Sequence, residues 1–246
     1  MMRSLLVRGM LAGLVAGVLT FVFAFFVGEP ALDGGIAYED AVSAATGHSH
    51  EGEPLVSRGA QSTIGLLVAL LIYGVAIGGI FSLVYAGVYG RIVRLSPRAT
   101  AALLAAVGYV VVILVPFLKY PSNPPASSLD ETIGIRTGTY VILVALSVAA
   151  AVAAVALGQR LVARFGTWNG VLLAAAAYIV VMAVVGALMP VIAETPTDFP
   201  AVVLYDFRLA TLGLQLVLWA AIGLVFGALV ERRSQRPGHR SGSAIA

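Results

Sequence analysis

The amino-acid sequence predicts an all-α integral membrane protein, a bundle of six transmembrane helices arranged as three helical hairpins. Of its 246 residues, 60% are hydrophobic and 11% are charged, whereas soluble domains average about 25% charged residues. The apolar runs continue for about 20 residues, which in a helix matches the ~30 Å hydrocarbon core of a bilayer. Strands of a transmembrane barrel would be about 10 residues long and would alternate in polarity. The spans are therefore predicted to be helices, because lipid requires every backbone polar group to be paired internally.

Six stretches qualify as spans, and we predict that they form a single membrane domain over residues 1–232. Residues 233–246 are basic and then small and polar, a composition that cannot bury a core, and we expect a disordered cytoplasmic tail. The predicted spans are approximately 9–27, 64–89, 99–118, 137–157, 168–193 and 209–230.

The first span follows two basic residues, Arg3 and Arg8, and contains about 17 apolar residues, features that a secretory signal peptide shares. Gly9, Gly13 and Gly17 recur every four residues and line one helix face, which allows a neighbouring helix to approach closely. We favour an uncleaved span, since a discarded peptide has no use for such a face.

Residues 29–58 separate the first two spans and are expected to form the longest loop outside the membrane. The segment GHSHEGE places two histidines two residues apart, so that in an extended chain both imidazoles face one side. Imidazole nitrogens and carboxylate oxygens are ligands that divalent Co, Ni or Zn accept. We predict a metal site here, with the alternative that the loop is only a solvated acidic surface. The candidate ligands are His48, His50, Glu39, Asp40, Glu51 and Glu53.

The second span, 64–89, carries further glycines, and the central hairpin after it shows the plan of the chain most clearly. Span 99–118 is followed by KYPSNPPASSLDETIGIR, whose prolines lack the N–H of a continuing helix and indicate an exit into water. Span 137–157 then returns. A second Pro-containing loop, ETPTDFP, separates the last two spans. If the histidines bind no metal, we expect the metal ion to bind first at the acids of these two loops, Asp130, Glu131, Glu194 and Asp198.

An internal repeat is visible when residues 91–115 are set against 160–184, a constant shift of 69. Ten of the 25 positions are identical, including the pairs Arg91/Arg160 and Tyr109/Tyr178. The return spans share an arginine just before their start: Arg58, Arg136 and Arg208. Repeats that run in the same sense imply an axis along the membrane normal, and three hairpins are compatible with a pseudo-threefold arrangement. We expect each arginine to meet nearby acids such as Asp130, Asp198 and Asp206, with the alternative that its side chain only snorkels to the membrane interface.

The charges divide between the two faces of the predicted topology. Eleven basic residues fall on the side of the two termini and four on the other side, which by the positive-inside tendency makes both termini cytoplasmic in an inner membrane. Eleven of the 12 acids fall on the outer side. An acidic outer face raises the local concentration of cations.

Several classes of chemistry are excluded by the residues present. The chain has no cysteine, which removes disulfides and thiolate chemistry. No predicted span has an Asp, Glu, Lys, Arg or His near its middle, which argues against a self-sufficient ion pump. The sequence contains no phosphate-binding loop and no intramembrane protease motif, so an enzyme is not expected. The basic residues lie at span ends rather than in a patch with aromatics, so we expect no nucleic-acid partner.

Three segments resemble one known family. LMPVIAETPTDFP followed by DFRLATLGLQLVLWAAIGLVFGALVERR is similar to the closing segment of the CbtA family of predicted cobalt transporter subunits. VRGMLAGLVAG with the later Glu39 resembles its opening, and PFLKYPSNPP leading to Arg136 resembles its central loop. The segment Thr-Gly-Thr-Tyr after Arg136 departs from the pattern and suggests a divergent branch. The most specific positions are Pro190, Pro196, Pro200, Phe207, Arg208, Gln215 and Trp219.

The resemblance implies cobalt uptake without a permanently bound cofactor, often beside a small single-span, His-containing partner called CbtB. We therefore expect the membrane subunit of a divalent transition-metal, cobalt, uptake transporter that collects the cation on its acidic, His-containing outer loops. The alternative is a membrane scaffold or assembly subunit that transports nothing, which the absence of charges inside the spans favours.

Overall fold

The computed structural model describes residues 2–46, 56–92, 95–125, 127–128, 132–192 and 195–234. Over these residues the chain is helical and contains no strand, which confirms the all-α prediction. The α-helices are α1 (Met2–Phe23), α2 (Glu29–Thr46), α3 (Arg58–Ala60), α4 (Leu66–Val88), α5 (Pro97–Gly108), α6 (Val115–Lys119), α7 (Ile133–Leu188) and α8 (Ala201–Ser234). Three π-helical segments join some of them: Ala24–Gly28, Gln61–Gly65 and Tyr109–Leu114.

Five helical segments within the described residues are long and apolar enough to cross a membrane, where the sequence predicts six spans. The difference arises in α7, which contains both predicted spans 137–157 and 168–193. The five segments are Met2–Ala45, Arg58–Val88, Pro97–Lys119, Ile133–Leu188 and Ala201–Arg232.

The 56 residues of α7 do not form one straight rod. Gly166 has φ 78° and ψ 167°, outside the helical region, and it lies between the two predicted spans. The hydroxyl oxygens of Ser147 and Tyr178 are 2.8 Å apart although 31 residues separate them, a distance that one straight helix would extend to about 46 Å. The chain therefore folds back between these two residues, and glycine permits the positive φ at the interruption.

Residues 29–46 are helical, so the prediction of a loop that starts at residue 29 is wrong for this part. Pro30 lacks an N–H, and its ring would clash with the carbonyl of Phe26 in a regular α-helix. The π-helical turn Ala24–Gly28 ends just before Pro30, and a π-turn is wider than an α-turn. The segment Tyr109–Leu114 precedes Pro116 in the same way. The wider turns let the helix continue past both prolines.

The C-terminal end of α7 also differs from the predicted span, which extends to residue 193. Helix α7 ends at Leu188, and Met189 adopts the extended conformation with ψ 143°. The residue before a proline disfavours the helical region, so Pro190 explains why the helix stops there.

The chain divides into two compact units. Unit 1 comprises Met1–Phe25, Leu55–Val107 and Leu214–Ala246, and unit 2 comprises Phe26–Pro54 and Gly108–Gly213.

In unit 1, α1 and α4 lie with their backbones in contact. A Cβ atom on Gly9 or Gly13 would collide with the carbonyl oxygen of Gly78 or Gly74, and one on Gly17 would lie 2.7 Å from the carbonyl oxygen of Leu70. The prediction that the glycine face of the first span packs against another helix is confirmed.

Aromatic and ionic contacts complete unit 1. The ring of Phe226 meets the rings of Phe81 and Tyr85 edge-on, with centroid distances of 5.4 and 4.9 Å. Arg98 and Glu231 form an ion pair between α5 and α8. This pair joins the start of α5 to the end of α8.

The core of unit 2 centres on Tyr120, Leu143 and Met182. Two tyrosines of unit 2 are paired internally: the Tyr120 hydroxyl donates to the carbonyl oxygen of Pro190 at 2.7 Å, and the Tyr109 hydroxyl donates to that of Leu212 at 3.3 Å. Helices buried in lipid need such internal partners.

Candidate metal-binding site

The predicted metal ligands are distributed between described and undescribed parts of the chain. His48, His50, Glu51 and Glu53 lie outside the described residues. Glu39 and Asp40 lie on α2, with Glu39 half-buried and Asp40 exposed. Where the structure describes the chain, no three or more His, Asp or Glu side chains come close enough together to hold a metal ion. The metal site stays a prediction.

The part of unit 2 that carries Glu39 and Asp40 is built from three segments, residues 34–40, 120–125 and 195–208, which we call the polar cap. A Cβ atom on Gly35 would lie 2.9 Å from Cβ of Pro124, and one on Gly34 would lie 3.2 Å from Cγ1 of Val203. Residues 120–125, which follow α6, are called the Pro-rich loop. Two consecutive glycines thus let α2 lie directly against this Pro-rich loop and the start of α8.

Tyr38 joins α2 to the loop that precedes α8. Its ring lies 4.7 Å from that of Phe199, with an angle of 62° between the planes. Its hydroxyl donates a hydrogen bond to the carboxylate of Asp198. Tyr38 immediately precedes Glu39 and Asp40, so one acid of the Pro-containing loop is fixed to the same stretch of α2 as two predicted ligands.

Arg208 holds the Pro-rich loop from the side of α8. Its Nη2 donates to Oδ1 of Asn123 at 2.9 Å, and its Nε donates to the carbonyl oxygen of Ser122 at 3.4 Å. Within the described residues, Arg208 donates to these neutral loop oxygens. Asp130 lies outside the described residues, so an acidic partner for Arg208 stays a prediction. The sequence offered a signal, since PSNPP places the polar side chains of Ser122 and Asn123 among prolines.

The loop is also fixed by its own hydrogen bonds. The Ser127 hydroxyl donates to the carbonyl oxygen of Pro124 at 2.6 Å, and Nδ2 of Asn123 donates to Oγ of Ser128 at 3.4 Å. Asn123 therefore accepts from Arg208 with its oxygen and donates with its nitrogen. The loop tip is ordered by one arginine and by side chains that lie within five residues of each other.

Unit 2 also contains a buried pair of hydroxyl groups, on Ser147 and Tyr178. Ser147 is fully buried, donates to the carbonyl oxygen of Val111 at 2.6 Å and pairs with the Tyr178 hydroxyl. Val111 lies in the π-helical segment Tyr109–Leu114. These groups satisfy one another and hold three helical segments together.

The sequence was compared with known proteins. A family model described as "Probable cobalt transporter subunit (CbtA)" matches residues 2–231, nearly the whole chain. No curated protein and no solved structure matches.

Proposed function

The chain belongs to the CbtA family of probable cobalt transporter subunits, and from this premise we propose that it is the membrane subunit of a cobalt uptake transporter, not an enzyme. The family match over residues 2–231 is the observation that carries the proposal. The apolar helices support a position in the bilayer, and the polar cap supports a role for one face in receiving a cation.

The proposal includes six membrane crossings with both termini in the cytoplasm and the polar cap outside. The contact between Ser147 and Tyr178 supports two crossings within α7, because it requires the chain to reverse between them. At ~1.5 Å per residue, 56 residues would extend about 84 Å, almost three times the ~30 Å hydrocarbon core.

Cysteine labelling tests this topology, and the natural absence of cysteine makes each new thiol unique. Thr167 and Thr197 are both exposed, but six crossings place them on opposite sides. In intact cells, Thr197→Cys and Ser49→Cys are expected to react with an impermeant thiol reagent, whereas Thr167→Cys and Ser234→Cys are not. Labelling of Thr167→Cys without permeabilisation would reject six crossings.

We further propose that the segment with His48 and His50 first captures the cation. Two imidazoles and nearby carboxylates leave coordination positions for water, which suits a site that must release its ion. Neutral imidazole is the ligand, so capture weakens as the pH falls through ~6.5, the pKa of an unperturbed histidine. Glu39 and Asp40, in the second half of α2, supply oxygen ligands in this scheme.

The double variant His48→Ala/His50→Ala is expected to raise the cobalt concentration for half-maximal uptake at least tenfold at equal expression. The physical reason is the loss of both nitrogen ligands. Uptake of radioactive cobalt at limiting metal measures the effect, with Asp198→Asn as the comparison because Asp198 belongs to the alternative loop site. An unchanged half-maximal concentration in the histidine variant, with a loss in Asp198→Asn, would move capture to the Pro-containing loops.

A small single-span, His-containing CbtB-like subunit is the proposed partner. The alternative function, a scaffold that transports nothing, is favoured by the absence of Asp, Glu, Lys, Arg and His near the middle of the predicted spans. Cobalt accumulation in cells that express this chain with and without the partner separates the two. Accumulation that needs the partner but not this chain would support the scaffold.

A further inference from the structure

Two polar atoms on α8 are buried without a hydrogen-bond partner: Oε1 of Gln215 and Nε1 of Trp219. Trp219 is 9% exposed, and its neighbours Leu218 and Ile222 are fully buried. Residues four apart lie on one face of a helix, so an acceptor and a donor occur side by side. Both atoms belong to unit 1.

Other buried hydroxyls in the described part of the chain also lack partners, namely those of Thr20, Thr100 and Ser122. A hydroxyl can rotate towards a backbone carbonyl of its own or a neighbouring turn. An indole N–H has a fixed direction, and it can donate but not accept. Because no water is available in hydrocarbon to satisfy such groups, leaving them unpaired is unfavourable. The pair on α8 therefore points to a polar occupant that is not part of the chain.

The chemistry of the spans indicates what that occupant is. No carboxylate or imidazole lies near the middle of any predicted span, so the chain cannot replace the water shell of a divalent cation with strong ligands there. A cation that crosses must keep part of its water. Water bound to a cation donates its hydrogens outward, which matches the amide oxygen of Gln215, and an outer-shell water can accept from the indole N–H of Trp219.

We propose that Gln215 and Trp219 form a station for a partly hydrated divalent cation, which occupies it when this face of α8 opens. Gln215 Oε1 accepts from a cation-bound water, and Trp219 Nε1 donates to a water of the outer shell. This inference rests on the proposed transport function and places one step of it on α8.

The chain contains two tryptophans, so Trp168→Phe leaves Trp219 as the single indole reporter. The purified full chain with this change is reconstituted in vesicles of phosphatidylethanolamine and phosphatidylglycerol and titrated with Co²⁺, an ion that quenches indole emission at short range. We expect saturable quenching that Zn²⁺, which does not quench in this way, relieves by competition. Gln215→Leu in the same background is expected to raise the half-saturating Co²⁺ concentration at least tenfold.

Two further variants keep the test independent of misfolding. Gln215→Glu keeps an oxygen acceptor and adds a negative charge, so it is expected to lower the half-saturating concentration. Gln159→Leu changes an exposed glutamine of α7 and is expected to leave the titration unchanged. The complementary variant Trp219→Phe reports from Trp168, which is 76% exposed, and should show only non-saturable quenching.

Equal titrations for the parent, Gln215→Leu and Gln215→Glu would overturn the inference. The inference would also be overturned if Co²⁺ gave no saturable quenching in the parent while Gln215→Leu shifted the indole emission. That result would indicate that Gln215 and Trp219 bind only a structural water. If cells that express the parent accumulate cobalt normally in either case, the proposed function stands and this station does not. Absence of cobalt uptake by the parent with its partner would remove the proposed function and this inference with it.

Discussion

Replacing Gly13 by leucine is expected to separate α1 from α4 and to prevent unit 1 from folding stably. A Cβ atom on Gly13 would collide with the carbonyl oxygen of Gly74, would lie 2.6 Å from its carbonyl carbon and would lie 3.1 Å from the Cα atom of Val75. These are backbone atoms, which cannot rotate aside as a side chain does. Overpacking by a few methylenes typically costs about 1–3 kcal/mol, and a whole side chain against backbone should reach or exceed the upper end of that range.

Thermal unfolding in detergent, followed by size-exclusion chromatography of the heated sample, measures this effect. Gly87→Leu is the matched control, because Gly87 also lies in a spanning helix, α4, and no atom lies within 4 Å of its Cβ position. We expect Gly87→Leu to behave as the parent and Gly13→Leu to be lost at a much lower temperature. Equal stability of the two variants would contradict the packing of α1 on α4. It would favour the alternative that the first segment is a cleaved signal peptide.

The sequence was sufficient to predict this contact because its cause is local. A glycine every four residues marks one face of a helix, and only a close neighbour makes such a face useful. Gly74 and Gly78 supply the complementary face on α4. The apolar lengths likewise predicted where long apolar helices lie, since bilayer thickness fixes how many residues are needed to cross.

Local pattern was not sufficient where the helix continues past a signal that usually ends it. Glu29, Pro30 and Asp33 read as a loop, yet α2 follows the π-helical turn Ala24–Gly28 without interruption. Amino-acid composition does not predict a π-turn, because the turn depends on the contacts that the helix makes further along the chain. The same limit applies at Pro116.

The repeat gives an intermediate case. Tyr109 and Tyr178, one of the matching pairs, both use their hydroxyls to reach another helical segment, at Leu212 and Ser147 respectively. A tyrosine inside an apolar run needs such a partner, so its presence indicates a contact without naming the other residue. The pseudo-threefold arrangement of three hairpins stays a prediction.

The candidate site was less accessible to sequence reasoning than the fold. Ligand types were recognisable in the segment around His48, but which oxygens approach each other depends on tertiary contacts such as that between Tyr38 and Asp198. For Arg208 the sequence favoured an opposite charge, whereas the described residues show a neutral acceptor, the amide oxygen of Asn123. An amide oxygen can fix the position of the guanidinium group without carrying a charge. The sequence alone does not distinguish an arginine held in this way from one that only snorkels to the membrane surface.

Arg208→Ala is expected to release the Pro-rich loop and to lower the stability of unit 2. Hydrogen bonds from a charged group contribute about 1.5–3 kcal/mol each, and their removal leaves Asn123 Oδ1 and the carbonyl oxygen of Ser122 without this donor. Arg208→Lys should recover only part of the loss, because an ammonium lacks the planar fork that reaches two acceptors.

Trypsin cleavage after Lys119 reports directly on the loop, since Lys119 is the last residue of α6 and immediately precedes it. We expect Arg208→Ala to speed this cleavage about tenfold or more, the factor that corresponds to roughly 1.4 kcal/mol of lost local stability when the loop opens and closes fast relative to cleavage. Arg232→Ala removes an exposed arginine from the same helix and should leave the rate unchanged. If both variants are cleaved at the parent's rate and unfold at the parent's temperature, Arg208 serves as an interfacial anchor and the loop is held by its own hydrogen bonds.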